Sequence, residues 1–192
     1  MMKIIGGKWG GRTLNAPKGT QTRPTLAITR KAVFDICQFE VANAEVLDLF
    51  AGSGAMGIEA LSRGASHATF VDKSNEAIRC IRENLQALNA IDSATIIQAE
   101  AMSALKKLAD RKKTFSLIYI DPPYEELPKS SSRAAIITFL DNSSLISTGG
   151  LVFIEESAPE LLPSQLPPLQ SLAHVNSRSF SKSVLHQYRK KN

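Results

Sequence analysis

The sequence predicts one α/β domain, in which helices cover both faces of a mostly parallel β-sheet, preceded by a short N-terminal arm. From residue 44 onward, short β-branched or apolar runs alternate with longer helical stretches, which is the pattern of successive βαβ units. The 192 residues, 43% of them hydrophobic, suffice for one globular domain. The apolar runs are shorter than the roughly 20 residues that a membrane span requires, so we expect no contact with a membrane.

The predicted elements follow one another in a regular order. Apolar runs predict strands at residues 45–50, 68–71, 94–97, 115–120 and 151–154. Helices are expected after a glycine-rich turn through residue 61, after Ser74 as an N-cap, and at 103–111 and 133–140. The stretches 173–180 and 183–189 are predicted to form a closing antiparallel pair.

Charge is distributed unevenly along the chain. Residues 1–34 contain seven basic side chains and no acidic one, and residues 161–192 contain five and none. All 18 acidic side chains lie between these ends, where only 11 basic ones accompany them. Basic ends are frequent in proteins that bind nucleic acids. The charge distribution by itself is equally consistent with two solvated tails. We therefore divide the chain into a basic arm with a small hairpin, residues 1–22, and a domain of residues 23–192.

The cysteines and histidines indicate no metal site. Cys37 and Cys80 lie 43 positions apart, and the three histidines also show no metal-binding spacing. The first residues lack the apolar segment of a secretion signal. We therefore expect a cytoplasmic protein with reduced thiols and no metal ion.

A glycine-rich turn follows the first strand of the domain. Residues 52–57 spell GxGxxG, and Asp72 lies 20 residues after Gly52, at the end of the next strand. Glycines let the backbone approach a ligand, and a carboxylate in that position can hold two ribose hydroxyls. The pattern predicts a nucleoside-type ligand, with a turn needed only for strand-to-helix packing as the alternative.

Asp48 distinguishes between the two candidate cofactors, a dinucleotide and S-adenosylmethionine. It stands four residues before Gly52 in an otherwise apolar strand, where a lone carboxylate is costly to bury. It would repel the pyrophosphate of a dinucleotide and attract the ammonium group of S-adenosylmethionine. Residues 48–54, Asp-Leu-Phe-Ala-Gly-Ser-Gly, resemble the first motif of Rossmann-like methyltransferases, and residues 100–102 lie where that family contacts adenine. The predicted cofactor-binding residues are Asp48, Phe50, Gly52, Ser53, Gly54, Asp72, Lys73, Glu100, Ala101, Met102 and Asp121.

The tetrapeptide Asp121-Pro122-Pro123-Tyr124 directly follows the strand at 115–120 and supplies the predicted catalytic residues. Its two prolines fix a stiff loop at the carboxyl edge of the sheet, where α/β proteins bind ligands. A nucleobase amino group is a poor nucleophile because its lone pair is delocalised into the ring. Asp121 and the Pro122 carbonyl can accept its two N–H bonds, while Tyr124 stacks on the base. Alone, such a tetrapeptide is more often a surface turn.

With both motifs present, the sequence resembles the RsmD-type 16S rRNA guanine-N2 methyltransferases over nearly the whole chain. Further matches are Ile4-Ile5-Gly6-Gly7, Trp9, Arg12, Arg23-Pro24-Thr25, Ala60-Leu61-Ser62-Arg63 and Phe153-Ile154-Glu155-Glu156. The chain departs from the family at Gly10-Gly11-Arg12, where Arg-Gly-Arg is usual, and at Ala27-Ile28, where Asp-Arg is usual. One cation of the arm and one polar pair near the cofactor are therefore missing.

The resemblance implies a Rossmann-like class I fold, with a seven-stranded sheet whose last strand is antiparallel and an N-terminal hairpin arm. It implies methyl transfer from S-adenosylmethionine to N2 of one guanine of 16S rRNA, equivalent to guanine 966, in a partly assembled small subunit, by a monomer. We expect the RNA backbone to contact Lys8, Arg12, Arg23 and Arg30. Deleting residues 1–22 should then abolish RNA affinity and spare cofactor binding.

Other functions remain open at this stage. The same tetrapeptide can serve methyl transfer to adenine N6, cytosine N4 or a protein glutamine. An RNA-binding assembly factor can retain the fold without catalysis. A third alternative, an NAD-dependent oxidoreductase, would require tighter binding of NAD than of S-adenosylmethionine.

Overall fold

The computed structural model describes residues 2–17, 24–122, 133–157, 166–180 and 183–192. The strands are β1 (Met2–Lys3), β2 (Thr13–Leu14), β3 (Glu45–Leu49), β4 (His67–Asp72), β5 (Ala94–Gln98), β6 (Phe115–Ile120), β7 (Ile146–Ser157), β8 (Leu172–Phe180) and β9 (Ser183–Lys190). The helices are α1 (Pro24–Ile36), α2 (Ala55–Ser62), α3 (Asn75–Ala87), α4 (Ala101–Asp110) and α5 (Arg133–Asp141).

Seven strands form one sheet in the order β5-β4-β3-β6-β7-β9-β8, and β1 pairs with β2 in a separate small hairpin. The strands β3 to β7 are parallel, whereas β9 runs antiparallel to both of its neighbours. This confirms the predicted seven-stranded sheet with its antiparallel last strand. The strand order reverses between β3 and β6, and ligands of α/β proteins bind at such a switch point. Asp48 and Asp121, at the ends of these two strands, therefore flank the expected crevice.

Two hydrophobic cores lie on opposite faces of the sheet. Phe34 of α1, Ile58 of α2 and Ile81 of α3 pack on one face, and Leu105 of α4 and Ile137 of α5 pack on the other. The apolar spacing predicts α3 well, and the side chain of its N-cap, Ser74, accepts a hydrogen bond from the Ala77 N–H at 3.4 Å. Burial on both faces explains why the central strands are almost uniformly apolar.

Helix α1 lies outside the elements that the sequence predicts. Pro24 begins the helix, where its missing N–H costs nothing. The buried face of α1 contains Thr29 and Arg30 beside Val33 and Phe34. These two polar residues interrupt the apolar spacing by which an amphipathic helix is recognised.

The N-terminal hairpin (residues 2–14) packs against the domain and does not project from it as an arm. Ile4 and Leu14 are buried in the same core cluster as Ile58 of α2 and Ile81 of α3. The backbone N–H groups of Ile5 and Gly6 donate to the Glu59 carboxylate in α2, at 2.7 and 2.8 Å. Residues 2–17 therefore share a core with the rest of the protein.

Candidate functional site

The turn between β3 and α2 forms the floor of a cleft at the carboxyl edge of the sheet. Gly52 lines this cleft, and a Cβ added there would meet no atom within 4 Å. Its φ of +55° lies in the left-handed region, which favours glycine. A Cβ on Gly57 would instead approach Phe70 to 2.3 Å. Gly52 thus leaves the backbone open to a ligand, whereas Gly57 permits close packing of α2 on the sheet.

Asp48 lies in the same cleft and is only 2% exposed. Its Oδ2 accepts a hydrogen bond from the Gly57 N–H at 2.9 Å. Burial raises the pKa of Asp48 to about 7, and nearby Asp72 adds to the rise, while the Gly57 hydrogen bond and Arg30 oppose it. Contacts within the protein therefore do not fully offset the cost of burying ionised Asp48. A cationic group on a ligand would offset the rest.

Asp72, at the end of β4, organises the neighbouring part of the site. Its two carboxylate oxygens accept hydrogen bonds from the N–H groups of Gly52 and Ser74, each at 2.8 Å. A second cavity adjoins the cleft, and Phe50 lines both. The other residues that line this second cavity are Val71, Asp72, Lys73, Ala99, Glu100 and Ala101. Five predicted cofactor-binding residues, Phe50, Asp72, Lys73, Glu100 and Ala101, therefore meet around one cavity.

Asp121 lines the first cleft together with Asp48 and Gly52. Its backbone N–H is 3.4 Å from the Leu49 carbonyl oxygen, so the pairing of β3 with β6 extends to the first residue of the proline motif. Pro122 is buried behind it. Pro123 and Tyr124 lie outside the described residues.

Three of the predicted cofactor-binding residues, Gly54, Met102 and Ser53, contact other parts of the protein. Gly54 does not line either cavity, and a Cβ there would press on Ile81 at 3.1 Å and Phe70 at 3.3 Å. Met102 also lines neither, and packs half-buried against the core on the α4 face. Ser53 lines the cleft, but its Oγ donates to the Met2 Sδ at 3.3 Å. The cofactor contacts of these three remain predictions.

Tyr119 is a cleft residue that the sequence did not predict, and its partner Glu155 was noted only as part of a family match, without a role in the site. Tyr119 lines the cleft, and its hydroxyl donates to the Glu155 carboxylate at 2.7 Å, with both side chains buried. Burial raises the pKa of Tyr119 well above its usual value, and Asp121 and Glu155 raise it further. The alternation of side chains along a strand could have found Tyr119, because it lies two positions before Asp121, which directly follows β6.

Residues of the N-terminal segment form one wall of the cleft. Met2, Ala16 and Pro17 all line it. The structure therefore argues against the expectation that deletion of residues 1–22 spares cofactor binding, because the deletion would remove this wall. The deletion would also remove two hydrogen-bond donors to the Glu59 carboxylate, the backbone N–H groups of Ile5 and Gly6.

The four basic residues predicted to bind RNA occupy different environments. Lys8 and Arg12 are exposed; the Lys8 Nζ lies 4.3 Å from the Trp9 ring centroid, and the Arg12 guanidinium donates to the Ala87 carbonyl oxygen at 2.7 Å. Arg30 is 3% exposed and lines the cleft, and its contact with the RNA backbone stays a prediction. Arg23 lies outside the described residues.

Within the described ranges, no group of three or more His, Cys, Asp or Glu side chains could hold a metal ion. In the same ranges, no helix is long and apolar enough to cross a membrane. Cys37 and Cys80 are buried free thiols, and burial raises the pKa of Cys37 to about 12. The first cleft offers ligands the carboxylates of Asp48 and Asp121, the open backbone of Gly52 and the buried cation of Arg30.

The family described as conserved hypothetical protein 95 matches residues 2–189. The chain is 36% identical over 168 residues to YlbH of Bacillus subtilis, provisionally named an rRNA methyltransferase, covering 88% of this chain and 89% of that protein. It is 31% identical over 163 residues to the ribosomal RNA small subunit methyltransferase D of Escherichia coli K12, covering 85% and 78%. The solved structure of yhhF from Escherichia coli, provisionally described as a methyltransferase, superposes with a TM-score of 0.82 at 26% identity, covering 99% and 98%.

Proposed function

The chain belongs to the RsmD-type methyltransferase family, and on that premise we propose that it methylates the exocyclic N2 of one guanine in 16S rRNA. The cofactor is S-adenosylmethionine, which supplies an electrophilic methyl group whose leaving group is a neutral thioether. One observation carries the proposal: Asp121, from the proline motif, lines the same cleft as Asp48 and Gly52. An acceptor for the base amino group and the groups suited to the cofactor therefore share one cavity.

The residues of the site fit this cofactor. Asp48 would meet its ammonium group, because a buried carboxylate with a raised pKa gains most from a cationic partner. Gly52 would allow close approach at the floor of the cleft, and Asp72 would accept the ribose hydroxyls. Lys73 and the segment 100–102 would border adenine, and Phe50 lies between the two cavities.

The proline motif would hold the substrate base. The Asp121 carboxylate and the Pro122 carbonyl would accept the two N–H bonds of the guanine amino group, so that its nitrogen lone pair is directed into the cleft. Tyr124 would stack on a base that is flipped out or already unpaired. A strong general base is unnecessary, because the nitrogen becomes acidic once its lone pair is used and the proton leaves late.

The proposed substrate is the guanine equivalent to position 966 in a partly assembled small subunit, bound by a monomer of this protein. Asp48 and Asp121 make the cleft acidic and would by themselves repel RNA phosphates. Lys8 and Arg12 are exposed on the N-terminal hairpin, and Arg23 follows it in the sequence. These cations would bind the RNA backbone and make affinity depend on salt.

Replacement of Asp121 tests the catalytic role directly. We expect Asp121→Ala to lower methyl transfer to rRNA by ~100-fold or more, because a positioned acceptor in a partly buried site is lost. Binding of S-adenosylhomocysteine, measured by calorimetry, should remain detectable. Asp92→Ala, at an exposed acid before β5, is the matched control and should retain full activity. Near-normal turnover of Asp121→Ala would contradict the proposed role.

The methylated product distinguishes the possible acceptors. After incubation of rRNA with isotopically labelled S-adenosylmethionine, nucleoside mass analysis should detect labelled N2-methylguanosine. Label in N6-methyladenosine or N4-methylcytidine would show that the acceptor is adenine or cytosine and not guanine. Label in protein alone would overturn the rRNA proposal.

A further inference from the structure

Arg30 is a buried cation for which the reaction described above provides no role. It lies on α1, is 3% exposed, and lines the cleft together with Asp48 and Asp121. Burial lowers its pKa, and the charge of Glu59 opposes this effect. A buried guanidinium is costly unless hydrogen bonds and negative charge compensate it. Its partners within the protein therefore show what a ligand has to supply.

Those partners leave Arg30 only partly compensated. One terminal nitrogen donates to the carbonyl oxygen of Lys3 at 2.6 Å, which is a neutral acceptor. The Nε is buried, lies 3.5 Å from the Glu59 carboxylate, and donates no hydrogen bond within the described part of the chain. Arg30 is thus held in place by the N-terminal hairpin without being closely paired to an anion.

Glu59 is already engaged by other groups. Its two oxygens accept hydrogen bonds from the N–H groups of Ile5 and Gly6, at 2.7 and 2.8 Å. The Arg63 Nε donates to it at 2.8 Å, which is a closer ion pair than the one with Arg30. One carboxylate thus faces two guanidinium groups. Of the two, Arg30 is the more distant from Glu59, and it is the one that lines the cleft.

The amino-acid end of S-adenosylmethionine is a zwitterion, with an ammonium and a carboxylate on the same carbon. Asp48 suits the ammonium, and the charges of Asp48 and Arg30 are close enough to influence each other. We propose that Arg30 binds the cofactor carboxylate, so that Asp48 and Arg30 form a complementary pair for the zwitterion. This inference rests on the proposed function, since it assumes that the cleft holds S-adenosylmethionine.

The position of Arg30 favours a small anion over an RNA phosphate. Arg30 is 3% exposed and lines the cleft, whereas Lys8 and Arg12 are exposed on the outer surface. A guanidinium matches a carboxylate through two parallel hydrogen bonds. Its bond to Lys3 also fixes the side chain before the ligand arrives, which reduces the entropy lost on binding.

Calorimetry with two ligands tests the assignment on the full-length protein. S-adenosylhomocysteine carries both the ammonium and the carboxylate, whereas its decarboxylated analogue carries only the ammonium. We expect the wild type to prefer S-adenosylhomocysteine by about 10- to 100-fold, the range for hydrogen bonds to a charged group. In Arg30→Gln this preference should disappear, because only the affinity for the carboxylate-bearing ligand falls.

Arg63→Gln is the matched control, because it removes the other guanidinium of Glu59, and Arg63 does not line the cleft. It should lower stability but keep the ligand preference. Equal loss of affinity for both ligands in Arg30→Gln would make Arg30 purely structural and overturn the inference. If Arg30→Gln does not fold, the wild-type protein still provides a test. Equal affinity of the wild type for the two ligands would also overturn the inference. A wild type that binds neither ligand would instead refute the proposed function.

Discussion

Among the buried carboxylates of the described residues, Glu59 and Asp48 differ in how far the protein compensates their charge. Glu59 in α2 is 0% exposed and Asp48 in β3 is 2% exposed. Two backbone N–H groups and Arg63 bond to Glu59 within 2.8 Å. For Asp48 the hydrogen bond from the Gly57 N–H, at 2.9 Å, opposes a burial penalty that still raises the pKa to about 7.

This difference distinguishes a buried charge that stabilises the fold from one that is suited to bind a ligand. A buried ion whose hydrogen-bonding capacity is met inside the protein holds the structure together. Glu59 does this by fastening the N-terminal hairpin to α2. A buried ion that remains under-compensated is a candidate for ligand binding. Asp48 has this character, and Arg30 lies between the two sites, near Glu59 and at the wall of the cleft.

The largest expected effect concerns Glu59. We expect Glu59→Gln to lower the free energy of unfolding by about 3–5 kcal/mol, because buried Arg30 and partly buried Arg63 would lose their counter-charge. Urea denaturation followed by circular dichroism measures this. The control Asp35→Asn breaks the exposed ion pair with Lys31 and should cost less than about 1 kcal/mol. Similar losses in both variants would remove the distinction between Glu59 and a surface charge.

A smaller effect, on binding and not on stability, is expected at Asp48. Asp48→Asn should weaken S-adenosylhomocysteine binding by about 10- to 100-fold, because the ammonium loses a charged acceptor. The unfolding free energy at pH 8 should not fall, since the variant no longer buries an ionised carboxylate. Calorimetry and urea denaturation supply the two measurements. A loss of stability as large as that of Glu59→Gln would show that Asp48 is structural as well.

The smallest expected effect is a pH dependence of cofactor affinity. The ammonium requires ionised Asp48, so affinity for S-adenosylhomocysteine should rise by roughly tenfold between about pH 6 and pH 8, around the pKa of about 7. Asp48→Asn should abolish this rise. The folded-state pKa exceeds the ordinary aspartate value of 3.8, so this group lowers stability as pH rises from about 4 through 7. A pH-independent affinity in the wild type would contradict the ammonium contact.

The sequence alone determined the central sheet and the position of the proposed chemistry. Strand β6 was predicted at its observed bounds, and the glycine turn and Asp121 were both assigned to the carboxyl edge of the sheet. These features depend on short-range signals: apolar runs for strands, and glycine and proline for turns. Ser74 likewise marked the start of α3, because an N-cap acts within one helical turn.

Only the tertiary structure revealed how the N-terminal region takes part in the site. Arg30 belongs to a basic stretch of sequence, and nothing local distinguishes it from the exposed cations Lys8 and Arg12. Its burial depends on Glu59, 29 positions away, and Glu59 in turn bonds to backbone groups 53 and 54 positions away. Hydrogen bonds over such separations leave no periodic pattern, because they are formed by the packing of α1, α2 and the hairpin. Whether a charged residue is solvated or buried in a cleft is therefore decided by the fold.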